Sequence, residues 1–240
     1  MGRFTGILIV ANIIMFLLMF SMPEEMMENA LGMMAFSSVY ILQIWRIFTS
    51  LFVHASASHL FFNMLGLYFF GKTLEDEVSP KTFLLIYFLA GIVGNLAFGM
   101  VTGDAVVGAS GCVFGLMGAA MLLKPKSKVN FYVFPLPLGI VAVVFAVVES
   151  MLVYFGTFAT GVAHMAHVGG LAVGVFFAFR HNKKQAGKGI LWLILFVAII
   201  IILGPVFSFV IDIGNFILGL IDFAVGVVLY SLASLLGFLW

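Results

Sequence analysis

Hydrophobic residues along this chain fall in long runs, and short polar segments separate one run from the next. About 20 apolar residues are enough for a helix to cross the hydrocarbon core of a bilayer. The pattern therefore predicts a membrane protein with either eight spans or six spans and a hydrophobic C-terminal extension. The apolar segments lie at about 5–21, 59–71, 82–101, 110–123, 131–155, 163–179, 190–211 and 213–240.

The first apolar segment follows Arg3 directly and therefore also resembles a secretory signal peptide. Such a peptide ends in a cleavage site of small residues, whereas here the chain continues as "SMPEEMMEN". We therefore expect this segment to be retained as the first span.

Composition supports the membrane prediction, since 64% of the 240 residues are hydrophobic and only 9% are charged. Soluble domains carry about 25% charged residues. The formal net charge of +1 gives no indication of a nucleic-acid partner. The single cysteine, Cys112, excludes an intrachain disulfide and a cysteine metal cluster.

The positions of the basic residues predict the orientation of the spans, because cytoplasmic loops are enriched in Lys and Arg. With a cytoplasmic N-terminus, Arg46 is the only basic residue on the outer side. We therefore expect a multi-pass protein of the cell membrane with its N-terminus inside. The basic residues on the inner side are Arg3, Lys72, Lys81, Lys124, Lys126, Lys128, Arg180, Lys183, Lys184 and Lys188.

The first outer segment, 22–58, is too long for a turn and mixes acidic residues, methionines and aromatics. This mixture predicts short amphipathic helices at the outer membrane interface, with Trp45 at headgroup level. His54 is interpreted as a solvated or interfacial histidine of this loop.

Three polar residues on different spans are expected at one depth in the membrane. His59 precedes Lys72, Ser110 precedes Lys124 and His167 precedes Arg180 by 13 or 14 residues each. At about 1.5 Å per helical residue, each lies about 20 Å above the inner boundary. Ionisable residues at this depth are costly and indicate a functional site.

Small residues recur at every fourth position near Ser110 and His167, which allows two membrane helices to approach closely. The pattern favours contact between the two helices, although an ordinary packing seam would explain it equally well. The small residues are Gly111, Gly115 and Ala119 on one helix, and Ala166, Gly170, Gly174 and Ala178 on the other.

Nucleophilic catalysis is the chemistry that suits these side chains. A neutral histidine such as His167 can take the proton of the Ser110 hydroxyl and activate it. The Ser110 backbone N–H and the side chains of His59 and Asn63 are candidate donors to an oxyanion. No third acid is evident, so the sequence predicts a Ser–His dyad.

Four motifs in order resemble the rhomboid intramembrane serine proteases. They are "WR" at 45–46, "HLFFN" at 59–63, "GASG" at 108–111 and "AHVGG" at 166–170. The resemblance covers residues 1–182 and implies an all-α core of six transmembrane helices. Residues 183–240 form a C-terminal hydrophobic extension of one or two further helices.

The resemblance implies that Ser110 is the nucleophile and His167 the general base. It places His59, Asn63 and Gly108 on the oxyanion and substrate-binding side, Gly108 being the first glycine of GxSG.

Further matches are structural. Arg46 matches the structural arginine of the outer loop, and Glu75 matches an acid that supports this loop. Gly111, Phe114 and Gly170 lie near the site, and Phe114 replaces the tyrosine that several members stack on the histidine.

The implied activity is cleavage of transmembrane segments of other proteins near the outer face, in an active site open to the outside, with no cofactor. The alternative is a non-catalytic relative that binds transmembrane helices. A transporter would predict an inverted repeat, which is absent from the sequence. His164 and His167 lack the H-E-x-x-H frame of zinc proteases, and His164 remains the alternative base. The sequence does not indicate an oligomeric state.

Overall fold

The computed structural model describes residues 2–131, 134–155, 163–199 and 201–202. It is mostly helical, as predicted. The helices are α1 (Arg3–Phe20), α2 (Glu24–Met34), α3 (Trp45–Thr49), α4 (Ala57–Gly66), α5 (Lys72–Glu75), α6 (Pro80–Thr102), α7 (Ser110–Leu123), α8 (Leu138–Phe155) and α9 (Ala163–His181). One further helix occupies 183–199.

Two of the described helices, α1 and α6, are long and apolar enough to cross a membrane, judged by length and composition. Helix α7 and the first part of α8 are apolar but shorter. The second predicted span is continuous from α4 through a π-helical turn, Leu67–Gly71, into α5. The complete count of six spans plus an extension remains a prediction.

Helix α7 lies at the centre of the fold. Every residue from Gly111 to Leu123 is buried, whereas Ser110 at its N-terminus is partly exposed. A helix that is apolar all round needs neighbours on all sides, and α6 and α9 pack closest to it. Leu116 and Leu122 of α7 share one buried hydrophobic cluster with the large side chains of Leu67, Phe70, Leu74, Phe83, Ile86 and Tyr87.

A short antiparallel hairpin departs from the all-α prediction. Strand β1 (Lys128–Phe131) pairs with β2 (Phe134–Pro137), with Lys128 opposite Pro137. The sequence predicted a span from 131, but helix α8 begins only at Leu138. Pro135 and Pro137 lack backbone N–H donors and fix their φ angles, which favours an edge strand over a helix here.

The long outer segment contains short helices, as predicted. These are α2, α3 and two 3₁₀ turns, Ser38–Tyr40 and Ser50–Phe52. Trp45 is 55% exposed, and its indole N–H donates to the Met33 carbonyl at 3.3 Å.

The first part of the C-terminal extension packs on the rest of the described chain, and residues up to Phe196 form one compact unit. Gln185 donates to the carboxylate of Glu77 at 3.2 Å and to the Leu123 carbonyl. The Lys126 ammonium lies 4.4 Å from the Trp192 ring centroid. The second unit, 197–240, lies almost entirely outside the described residues. The same holds for a narrow stripe of polar and small residues that the sequence places at Asp212, Asn215, Gly219, Asp222 and Gly226.

Candidate active site

Ser110 is the first residue of α7, and the turn before it requires glycine. Gly108 has φ of +119°, a conformation that only glycine adopts readily. A side chain at Gly108 would also lie 2.6 Å from the His59 ring. The turn therefore brings His59 directly against the "GASG" segment and presents Ser110 at the free end of a helix.

The N-terminus of α7 offers hydrogen-bond donors beside the Ser110 hydroxyl. The first N–H groups of a helix have no acceptor within it. The helix dipole also makes this end favourable for negative charge. This arrangement suits stabilisation of an oxyanion next to the serine.

His54 adjoins this turn, although the sequence interpretation placed it in a solvated or interfacial loop. Its side chain is buried, 5.0 Å from His59 between ring centroids. Burial lowers the pKa of His54 to about 3, and the neighbouring His59 lowers it too, whereas the Phe52 carbonyl raises it. His54 is therefore neutral at physiological pH.

A single tautomer of neutral His54 explains both of its contacts. Nδ1–H donates to the Phe52 carbonyl at 3.3 Å, and Nε2 accepts from the Ala109 N–H at 3.5 Å. His54 thus supports the backbone immediately before Ser110. This role was not predicted, because His54 lies in the loop before α4, where its distance from Lys72 gives no membrane depth.

His59 and Asn63 lie one turn apart on α4, as their spacing predicts. Asn63 is fully buried, and its amide donates to the His59 carbonyl at 2.9 Å. Its Oδ1 atom has no hydrogen-bond partner among the described residues. One side-chain N–H of Asn63 is therefore engaged within α4. The role of Asn63 as a donor to an oxyanion stays a prediction.

His167 is buried on α9, where its ring stacks on Phe114. The ring centroids are 4.1 Å apart and the planes differ by 5°. Phe114 follows Ser110 by one helical turn, so the stack holds His167 over the N-terminal turn of α7. Phe114 thus makes the ring contact with the histidine that a tyrosine makes at this position in the proteins that the sequence resembles.

The serine and the histidine are not joined by a hydrogen bond in the part of the chain that the structure describes. His164, the alternative base, has its ring centroid 6.5 Å from that of His167. Catalytic hydrogen bonds are often long in enzymes without substrate and shorten in the substrate complex.

The backbones of α7 and α9 touch at small residues, as the small-residue pattern predicted, and the Phe114–His167 stack adds a side-chain contact. A Cβ atom at Gly170 would collide with the Gly111 carbonyl oxygen, and one at Gly174 with that of Gly115. The helix carrying Ser110 and the helix carrying His167 are therefore in direct backbone contact at these two glycines.

Asn95 is a buried polar residue of α6 that the sequence analysis overlooked. Its amide donates to the Ser50 hydroxyl at 2.9 Å and to the Ile47 carbonyl at 3.3 Å. The Ser50 carbonyl in turn accepts from the Gly108 N–H at 2.8 Å. Asn95 thus supports the Gly108 turn from below, and a lone Asn within an apolar run was the available clue.

Arg46 holds the outer segment together. The Arg46 side chain is buried and donates hydrogen bonds to the Ala35 carbonyl at 2.9 Å and to the Gly32 carbonyl. It also donates to the side-chain oxygen of Gln43. Its guanidinium carbon lies 4.8 Å from the Tyr40 ring centroid. These contacts join α2 to α3.

Glu75 does not support that loop, contrary to the expectation from the resemblance. It accepts hydrogen bonds from the Phe4 N–H at 2.8 Å, the Thr5 N–H at 2.9 Å and the Thr5 hydroxyl at 2.7 Å. Burial raises the pKa of Glu75, but these hydrogen bonds lower it below its usual value. Glu75 therefore caps the N-terminal end of α1.

No group of three or more His, Cys, Asp or Glu side chains that could hold a metal occurs within the described ranges. The arrangement at Ser110 instead combines a hydroxyl at a helix N-terminus with buried imidazoles. A serine hydroxyl, a neutral imidazole and backbone N–H donors are the kinds of group that serine hydrolases use.

Comparison with known proteins agrees with this class. The family model of the rhomboid domain matches residues 41–184. Over 186 residues, 73% of this chain and 68% of the relative, the chain is 30% identical to Rhomboid-like protease 3 of Toxoplasma gondii. This chain belongs to the rhomboid family, and it is accordingly an integral, multi-pass membrane protein.

Two bacterial relatives are similar over shorter stretches. The chain is 31% identical to Rhomboid protease GluP of Bacillus subtilis over 143 residues, covering 60% of this chain and 27% of that one. It is 28% identical to Rhomboid protease GlpG of Yersinia pseudotuberculosis over 151 residues, covering 63% and 53%. The aligned region is thus only part of each bacterial relative.

Proposed function

We propose that this protein is an intramembrane serine endopeptidase that cleaves transmembrane segments of other membrane proteins near the outer face. The observation that carries the proposal is the Phe114–His167 stack, 4.1 Å between ring centroids, which joins α9 to α7 one helical turn from Ser110. Its catalytic core is residues 1–182 with six spans in the cell membrane, and the N-terminus is cytoplasmic.

The reaction begins when the Ser110 hydroxyl attacks the carbonyl carbon of a substrate peptide bond and passes its proton to His167. The Ser110 N–H, with His59 and Asn63, donates to the oxyanion that forms. His167 then gives the proton to the leaving amine as the C–N bond breaks, which leaves an acyl-enzyme.

Water completes the cycle. His167 takes a proton from a water molecule, the hydroxide attacks the ester carbonyl, and the proton returns to the Ser110 oxygen as the acid product leaves. The site therefore needs access to water from the outer side. Substrates are favoured where the helix unwinds easily, since exposed backbone is costly in lipid.

Labelling of the serine tests the proposal directly. The full chain in detergent is treated with a fluorophosphonate probe, alongside Ser110→Ala, His167→Ala and His164→Ala. We expect labelling of the wild type and of His164→Ala, and loss in the other two variants. His164→Ala is the matched control, because it removes an imidazole one turn from His167.

Cleavage of a model transmembrane substrate in liposomes provides the second measurement. Intact substrate and absent labelling, in protein that unfolds cooperatively, would overturn the proposal. That result would favour the alternative, a rhomboid-family protein that binds transmembrane helices without cleaving them.

A further inference from the structure

A cavity of about 360 Å³ lies at the opposite end of α7 from Ser110. One wall comes from the end of the second span and carries Lys72, Thr73 and Asp76. The other wall comes from the turn after α7 and from β1, and carries Lys124, Ser127 and Lys128. Three lysines from separate elements thus converge on one space, which the proposed protease reaction does not use.

The charges around this cavity do not cancel. Lys124 forms a salt bridge with Glu77 at 2.7 Å, so its charge is compensated. Lys72 and Lys128 are exposed and form no ion pair with any residue that the structure describes. Asp76 offsets one of them, which leaves one positive charge in excess.

The wall that carries Ser127 and Lys128 is held in place by backbone hydrogen bonds. The Ser127 N–H donates to the Lys124 carbonyl at 3.0 Å, and the Leu138 N–H donates to the Ser127 carbonyl at 2.8 Å. The Gly139 N–H donates to the Pro125 carbonyl at 2.9 Å. These bonds tie the turn to the start of α8, so this wall of the cavity is fixed by the protein's own backbone.

The surroundings combine cations with an apolar surface. The basic residues around the cavity belong to the side that the charge distribution assigns to the cytoplasm. Tyr68 lines the cavity at 39% exposure, and Phe61, two helical turns earlier on the same face, is 59% exposed. An anion held between the lysines would therefore have an apolar helix face directly above it.

We propose that this cavity binds the phosphate group of an anionic phospholipid of the inner leaflet. A phosphodiester carries one negative charge, which matches the excess positive charge. Lys72 and Lys128 supply the ammonium groups and Ser127 a hydroxyl donor to the phosphate oxygens. The acyl chains lie along the face that carries Phe61 and Tyr68.

Native mass spectrometry of the full chain in detergent measures this binding. Phosphatidylglycerol is titrated against phosphatidylcholine, whose choline cation opposes the lysines. We expect the wild type to prefer phosphatidylglycerol, and the Lys72→Gln/Lys128→Gln variant to bind it about 30-fold more weakly. Lys183→Gln/Lys184→Gln removes equal charge from the same side of the protein outside the cavity, and should retain the preference.

Two further arms keep the result interpretable. Lys72→Arg/Lys128→Arg retains both charges and should bind phosphatidylglycerol like the wild type. If Lys72→Gln/Lys128→Gln fails to fold, the arginine variant becomes the test. Loss of binding in the arginine variant would contradict a site that depends on charge. Inorganic phosphate is titrated in the same way. Binding of inorganic phosphate as tightly as the lipid would overturn the lipid as the ligand.

Either of two outcomes would overturn the site itself. In one, the preference for phosphatidylglycerol survives in Lys72→Gln/Lys128→Gln. In the other, both double glutamine variants lose it equally, which would show that the basic inner surface as a whole attracts the lipid. Neither result depends on whether Ser110 is a nucleophile.

Discussion

The backbone contact between α7 and α9 makes Gly170 the most informative position for a single substitution. In Gly170→Ala, the new Cβ would collide with the Gly111 carbonyl oxygen and would lie 2.9 Å from its carbon. Both atoms belong to the backbone, so no side-chain rotation can relieve the overlap. The two helices must separate by about 1 Å to reach ordinary van der Waals contact.

The stability effect is the difference between two terms. Overpacking of a close contact costs about 3 kcal/mol at the upper end of its usual range. Alanine in place of glycine within a helix returns about 1 kcal/mol. The net loss of about 2 kcal/mol lowers the Tm by about 4–8 °C for a chain of this size.

Gly187→Ala is the matched control. A Cβ at Gly187, in helix 183–199, would meet nothing within 4 Å. Only the helix-propensity term applies there, so the Tm should rise by about 2–4 °C. The two variants introduce the same methyl group, and their opposite signs would isolate the collision.

Thermal unfolding in detergent and the rate of fluorophosphonate labelling are the two assays. A displacement of about 1 Å between a nucleophile and its base costs about 100-fold in rate. Gly170→Ala with a Tm at or above that of the wild type and an unchanged labelling rate would refute the close approach of the two helices.

Three other substitutions test the surroundings of Ser110. Phe114→Ala removes the stack on His167, and it should lower the free energy of unfolding by about 3–5 kcal/mol and abolish most fluorophosphonate labelling. Phe114→Tyr should retain both the stability and the labelling of the wild type. Equal labelling of the two variants would show that the stack has no role. Asn95→Ala should lower the free energy of unfolding by about 1–2 kcal/mol and slow labelling, and a Tm change without slower labelling would limit Asn95 to stability. Folding lowers the pKa of His54 to about 3, so between about pH 6.5 and pH 3 the unfolded chain binds more protons than the folded chain. The free energy of unfolding should therefore decrease as the pH is lowered through this window. The decrease should be steeper than in His54→Gln by up to about 1.4 kcal/mol per pH unit. Parallel pH profiles in chemical unfolding of wild type and His54→Gln would contradict this assignment.

Hydrophobic patterning predicted the helices well because a span needs a minimum apolar length. The limits of α7 agree with the predicted segment 110–123. The patterning failed at β1 and β2, where an apolar run interrupted by prolines is consistent with either a strand or a helix start. Periodicity alone does not separate these two outcomes.

The candidate site was only partly visible in the sequence. Spacing from basic residues gives depth along the membrane normal, which identified His59, Ser110 and His167. It gives no information about which residues of a neighbouring loop fold against them, and so it missed the roles of His54 and Asn95. Glu75 was assigned to the wrong end of the molecule because the resemblance supplied a role without a contact.

The segment before Ser110 has the irregular backbone of a loop, yet the amides of Val106, Gly108 and Ala109 are paired within the protein. Phe36 and Val106 exchange two backbone hydrogen bonds, of 3.0 Å and 2.7 Å, and the Gly108 N–H reaches Ser50. The Ser37 hydroxyl donates to the Gly103 carbonyl at 2.8 Å. In amide hydrogen–deuterium exchange, Val106 and Gly108 should therefore exchange as slowly as residues of a packed helix. Such slow exchange would group this loop with the packed helices rather than with the surface loops, so that Ser110 follows a segment as rigid as the helix it begins.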